Sequence, residues 1–245
     1  MKKVLLPTVF IASLVIASAT ALAAVDTTSN ITQPASVAAV SAAVNNDHAG
    51  TIEYAKKTLF NPDGSVVAVN ETWADAATRN QKSNYEEPVK GTDSMQRLGG
   101  AYVLDNGNTY IKVATDAQGN LVGYELTAKN PDQNWSNSLV AEKQDYINEY
   151  KEGTRRVGWT DEGIVQTVDG QSLRKLSRTD KSAAFSTTYT ESVFLDDSGL
   201  PVQGEIYEVV NGTANLLYTY VYEFKNVSND GSLFDAKGIP LQEIK

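Results

Sequence analysis

The chain has 245 residues, no cysteine, one histidine and a formal net charge of −9. Without cysteine it has no disulfides, no thiolate metal site, no cysteine nucleophile and no cysteine to carry a lipid anchor. The acidic balance disfavours nucleic acid and anionic membrane surfaces as partners, because both repel a negative field.

Lys2 and Lys3 precede an uncharged, mostly apolar run from Val4 to Ala19, and Ala21-Leu22-Ala23 then supplies a small-x-small cleavage pattern. The run is short for a membrane span, so residues 1–23 read as a secretory signal peptide. The expected product is secreted or periplasmic, begins at Ala24 or Val25 and has no later transmembrane segment. Residues 24–36 are expected to form a disordered leader. Pro34 to Val44 places Val37, Val40 and Val44 at helical spacing, which predicts a short helix. Asn-x-Ser/Thr triplets such as Asn70-Glu71-Thr72 are read as chance matches, since the leader has a bacterial look.

From Gly50 the texture becomes strand-like. Thr51–Phe60 and Ser65–Trp73 flank Asn61-Pro62-Asp63-Gly64, where proline presets φ and glycine accepts a positive one, so a hairpin is predicted. Further strands are predicted over Thr78–Tyr85, Arg97–Leu104, Thr109–Thr115 and Leu121–Ala128. The stretch Ser136–Gly153 spaces Leu139, Val140, Lys143, Tyr146, Ile147 and Tyr150 as one helical stripe. Ser136 or Ser138 is its expected N-cap, and Gly153 its expected C′ residue. Strands then resume over Thr154–Thr160, Gly163–Val168, Ser172–Thr179, Thr188–Leu195, Val202–Val210 and Asn215–Val227. The reading is one antiparallel meander in a single domain, mainly β with few helices.

Catalytic candidates are thin. His48, the single histidine, lies ahead of the first strand, away from the rigid support that catalytic groups need. The acid pairs Asp196-Asp197 and Glu86-Glu87 sit in turn or loop contexts, where solvated acids are the rule. Asp105, Asp116 and Asp196 open turns without the spacing of a calcium loop. No catalytic residue, metal site or cofactor is predicted, and a hydrolase using paired carboxylates is the least favoured reading.

The binding signal is stronger. In Leu216–Asn226 the even positions Leu216, Tyr218, Tyr220, Tyr222 and Phe224 form one aromatic strand face. One helix is a small cover for so long a sheet, so the sheet must curl on itself or leave a cavity. The candidate cavity lining is Tyr207, Tyr218, Tyr220, Tyr222 and Phe224 from the strands, with Tyr146, Ile147 and Tyr150 from the helix. Tyrosine suits such a wall, with an apolar ring and a polar tip.

Thr187–Asp235 runs strand, acidic turn ending in Gly199-Leu200-Pro201, strand, short turn, long strand, then Leu233-Phe234-Asp235. This order resembles the LolA-like superfamily of periplasmic lipoprotein carriers, RseB-type sensors and mycobacterial lipid-binding lipoproteins. The resemblance implies a strongly curved antiparallel sheet, a half-barrel with helices on its concave side, over residues 37–245. It implies a non-catalytic protein holding a lipid acyl chain or a lipoprotein, or else an envelope sensor that binds a protein partner.

Overall fold

The computed structural model describes residues 51–126, 143–156, 158–167, 169–182, 187–229 and 232–242. The predicted signal peptide, the leader, the helix over Pro34–Val44, His48 and the helix positions before Lys143 lie outside them.

The strands are β1 (Thr51–Phe60), β2 (Val66–Asp75), β3 (Asn80–Pro88), β4 (Met95–Leu104), β5 (Thr109–Thr115) and β6 (Leu121–Leu126). After helix α1 (Lys143–Arg156) come β7 (Thr160–Gln166), β8 (Ser172–Ser182), β9 (Thr187–Leu195), β10 (Pro201–Val210), β11 (Thr213–Ser228) and the short β12 (Leu241–Gln242). All join one 12-stranded sheet in the order β12-β6-β5-β4-β3-β2-β1-β11-β10-β9-β8-β7. The chain is thus mostly β, with one open, curled sheet and, among the described residues, one helix. Two meanders, β1–β6 and β7–β11, are zipped together where β1 pairs with β11.

The turns follow their residues. In the first hairpin the Asn61 and Ser65 backbones close on each other, the Asp63 carboxylate accepts from the Ser65 N–H, and Gly64 takes a φ of 84°. In the β9–β10 turn Asp196 accepts from the N–H groups of Ser198 and Leu200, and Gly199 takes a φ of 88°.

Alternation sends Ala55, Lys57 and Leu59 of β1 to the same face as Phe224, Tyr222 and Tyr220 of β11, their cross-strand partners. Helix α1 lies on this face. Leu176, Val193 and Leu195 pack there with Tyr150, Trp159 and Tyr220, and beside them Ala55, Leu200 and Phe224 pack with Tyr146 and Ile147. Tyr220 is directly opposite Gly204 on β10 and lies flat across it. A β-carbon on Gly204 would fall 2.1 Å from the Tyr220 ring.

The far face has its own core. Tyr102, Ile111 and Val113 are covered by Ala236 and Ile239 of the C-terminal tail. Gly123 makes room for that tail, and its N–H bonds to the Pro240 carbonyl at 2.8 Å. Across β11, β1, β2, β3 and β4 runs a row of two cations and three rings. Lys225 sits 4.6 Å over Tyr54, Tyr54 and Trp73 are 5.3 Å apart, and Lys82 lies over both Trp73 and Tyr102. Each such contact contributes on the order of 0.5–1 kcal/mol at an exposed site.

The strand expected over Thr154–Thr160 is corrected. Helix α1 continues through Arg156, and β7 starts only at Thr160. Gly153 is likewise not a cap: it is buried inside the helix, on the stripe of Tyr146 and Tyr150 at i+7 and i+3. A glycine there costs the helix about 1 kcal/mol against alanine, but it adds no bulk to a side that is buried. Strand β7, an outer edge, is mostly exposed; Arg174–Asp161 and Lys175–Glu162 ion pairs at 2.6 and 2.8 Å tie it to β8.

Gly204→Ala is expected to lower stability by about 2–3 kcal/mol through overpacking against Tyr220. In a Tyr220→Leu background the added cost should fall well below that, and urea unfolding midpoints of the four proteins measure the coupling.

Candidate functional site

Helix α1 supplies the upper wall of the site, and its stripe is set by spacing. Tyr146 meets Tyr222 and Phe224 edge-on at 5.7 and 5.2 Å, and Tyr150 meets Trp159 edge-on at 5.7 Å. Tyr222 in turn stacks on Phe224 and meets Tyr220 edge-on. At the helix start, the Glu53 carboxylate accepts from the backbone N–H of Lys143 at 2.9 Å, as an acid does at a positive helix N-terminus. The Lys143 ammonium reaches Asn226 at 2.8 Å. The helix is therefore tied to β1 and β11 at its start and seated by aromatic edges along its length.

Of the predicted lining residues, Tyr146, Ile147, Tyr150, Tyr220, Tyr222 and Phe224 come together under α1. Tyr218 lies further along β11, opposite Ile206. The pairing slips one residue between Ile206 and Tyr207, and the Tyr207 hydroxyl donates to Glu205 at 3.0 Å, so Tyr207 stands apart from the cluster.

Beneath the aromatics lies a charged set that the sequence reading missed. Arg178 of β8 donates to Glu191 of β9 at 2.7 Å, contacts Asp180 at 3.2 Å and stacks over Trp159 at 4.7 Å. The other oxygen of Glu191 accepts from the Tyr220 hydroxyl at 2.9 Å. Both oxygens of Glu191 are thus engaged. Lys57 of β1 sits 4.1 Å over the Tyr220 ring and 5.2 Å from that of Tyr222. Its side chain keeps partial solvent contact, yet desolvation of the ammonium lowers its pKa, against the pull of Glu191 and Glu149. Glu149, on the exposed flank of α1, has a raised pKa because burial of its carboxyl outweighs the attraction of Lys57 and Arg178. A sign of this set in sequence was Lys57 itself, a cation between Ala55 and Leu59 on one strand face.

The tyrosines are held neutral. Burial pushes Tyr146 up to about 12, helped by Glu149 and Asp145. Tyr150, Tyr220 and Tyr222 are raised further, first by burial and then by neighbouring acids and by one another.

Beside α1 opens a groove of about 400 Å³, a size typical of small-molecule sites. Ile147, Tyr150, Ile164, Leu195 and Gly199 give it apolar walls, and Lys151, Arg174, Asp196, Asp197 and Ser198 surround them. Of the predicted lining only Ile147 and Tyr150 face it. Ile164 is 66% exposed at its rim. Asp196 is occupied within its own turn, and Arg174 with Asp161. Among the described residues no group of three or more acids or histidines could hold a metal ion, and no helix is long and apolar enough to cross a membrane.

The sign of the tyrosine shifts sets an alkaline limit. Neutral tyrosine is favoured by the fold, so this stability is fully present below pH ~10, the unfolded value, and is lost as pH rises toward and through the folded values. Stopped pH jumps read at 295 nm should show the site tyrosines ionising together with loss of the near-ultraviolet dichroism. Independent ionisation near pH 10 with the fold intact would contradict it.

No protein-family model matches the chain, and no curated protein matches it. Among solved structures it is similar to a beta-barrel-like protein of a domain of unknown function, DUF1849, from Brucella abortus. That likeness has 11% sequence identity and a TM-score of 0.22, and covers 77% of this chain and 100% of the other.

Proposed function

We propose that the protein is an extracytoplasmic, non-catalytic binding protein of the LolA-like kind, holding an acyl chain or similar amphiphile between α1 and the sheet. In this reading the curled sheet is a half-barrel, α1 lies on its concave side, and the signal peptide delivers the chain to the periplasm or the exterior. The groove carries the proposal. Its apolar lining comes from three separate elements: Tyr150 and Leu195 form a buried floor, Ile147 is half-buried and Ile164 stands exposed at the rim, and an apolar rim left in water costs free energy unless something covers it.

Seating by aromatic edges supports the same reading. Such contacts are worth on the order of 0.5–1.5 kcal/mol each, enough to hold a helix and few enough to release it for a chain. Glu191 is committed to Arg178 and Tyr220, so this acid is not free to act on a ligand. A protein partner on the same fold is the second reading, favoured by the exposure of Ile164 on an edge strand.

Native mass spectrometry of protein purified from a bacterial envelope should show a co-purifying lipid. Added lipid should raise the melting temperature of delipidated protein by several degrees, and Ile164→Glu at the exposed rim of the groove should abolish that rise. Absence of lipid together with no thermal shift would remove the carrier reading, and one stoichiometric protein partner in its place would favour the second.

A further inference from the structure

The groove beside α1 carries its charges in a definite order. Its floor includes a cross-strand row: Leu195 of β9 pairs with Arg174 of β8, and Arg174 pairs with Ile164 of β7. Neighbouring strands are about 4.8 Å apart, so the row is about 10 Å long. α1 runs above it from β11 toward β7. Its start is tied to β1 and β11 through Glu53 and Asn226, and Tyr150 further along packs with Leu195 of β9, Leu176 of β8 and Trp159. Ile147 borders Gly199, where an added β-carbon would lie 3.6 Å from it, so the β9–β10 turn closes one end of the groove. Lys151 stands one helical turn, about 6 Å, past Ile147 in the direction of β8 and Arg174.

The ions in this space are not equally engaged. Arg174 donates through Nε and Nη2 to one oxygen of Asp161, at 3.2 and 2.6 Å, while its Nη1 has no partner among the described residues. The Arg174 charge is therefore matched and its guanidinium held in place. Asp196 uses one oxygen to accept from the N–H groups of Ser198 and Leu200 and from the Ser198 hydroxyl. Two lining groups are exposed and have no hydrogen bond or ion pair among the described residues: the Lys151 ammonium on the helix and the Asp197 carboxylate on the turn. They come from opposite walls of the groove.

These charges choose the class of ligand. A simple anion gains Lys151 and the open edge of Arg174 but adds to the negative charge of Asp196 and Asp197. A simple cation gains Asp197 but meets Lys151 and Arg174. A head that carries both signs can set each against its opposite wall. Next to these charges, the buried floor of Tyr150 and Leu195 and the apolar side chains of Ile147 and Ile164 suit hydrocarbon and not further charge.

We propose that the groove selects an amphiphile with a zwitterionic phosphate–ammonium head. The phosphate oxygens accept from Lys151 and from Nη1 of Arg174, a guanidinium being well matched to phosphate. The ammonium donates to Asp197, and the chain lies along Ile147, Tyr150, Leu195 and Ile164. This assignment rests on the carrier reading above and adds the class of head group to it.

The test titrates delipidated protein calorimetrically with three probes: lauroyl-lysophosphatidylethanolamine, lauroyl-lysophosphatidylglycerol and free phosphoethanolamine, the lipids below their micellar concentrations. The two lipids share a chain and a phosphate, and only the first has an ammonium. The ethanolamine lipid should bind about threefold or more tighter than the glycerol lipid, the scale of an exposed ion pair. Asp197→Asn should erase that difference, and Lys151→Gln should weaken both lipids. Both positions are exposed, so the ligand-free variants should keep the wild-type melting temperature. The glycerol lipid binding as tightly as the ethanolamine lipid, a preference that survives Asp197→Asn, or two affinities untouched by Lys151→Gln would each overturn the head-group assignment and leave the carrier reading standing. Free phosphoethanolamine binding as tightly as its lipid would overturn the amphiphile in favour of the head alone. Failure of both lipids to bind would overturn the carrier reading and the assignment with it.

Discussion

Everything on the helix side of the molecule depends on one pairing. β1 and β11 come from opposite ends of the described chain and pair antiparallel over their length, from Thr51 with Ser228 to Phe60 with Thr219. Without it the two meanders are separate sheets, each with an unpaired long strand. With it, Lys57 is laid beside Tyr222, Leu59 beside Tyr220, and Ala55 beside Phe224. The floor of the site is therefore a product of the least local contact in the fold. Such contacts require a long loop to close before they are rewarded, so this seam is expected to form late.

Much of the sheet was legible because its signals are local. The hairpin over Asn61–Gly64, the strand Thr109–Thr115 and the acidic turn before Pro201 each carry their own turn chemistry and period-2 alternation, and the structure places strands there. The helix was legible by the spacing of Tyr146, Ile147 and Tyr150. Its end was misread because Gly153 has two meanings in sequence: a C′ residue that needs a positive φ, and a small residue on a buried stripe. Only a neighbour across space separates them. The run after it was taken for a strand because Thr154–Thr160 has no apolar period that marks it either way.

The site was legible in part for the same reason. The even positions of β11 form one face by alternation alone, so Tyr220, Tyr222 and Phe224 could be grouped. That Tyr146 and Tyr150 would meet them depends on where α1 lands, and the slip that sets Tyr207 aside depends on strand register. The charged set is a longer-range matter still. Arg178 and Glu191 face each other across the β8–β9 pairing, and Lys57 comes to that side of the sheet only once β1 has joined β11, with β10 still between. No window of sequence contains them together. Their presence beneath aromatic rings runs against the usual economy of cores, where hydrophobic replacements of buried ion pairs are often neutral or stabilising.

The two edges of the sheet are unlike one another, and this bears on how the protein behaves when concentrated. β12 is two residues long and runs parallel to β6, so it offers almost no template. β7 is longer, but its register slips at Gly163, and Asp161 and Glu162 are held across to β8 by Arg174 and Lys175. A kinked strand with acids along it is a poor surface for another chain to extend. An open sheet this wide would otherwise grow end to end into fibres. Here the ends are blunted by length on one side and by charge and kink on the other, so neither end offers another chain a long flat strand to extend.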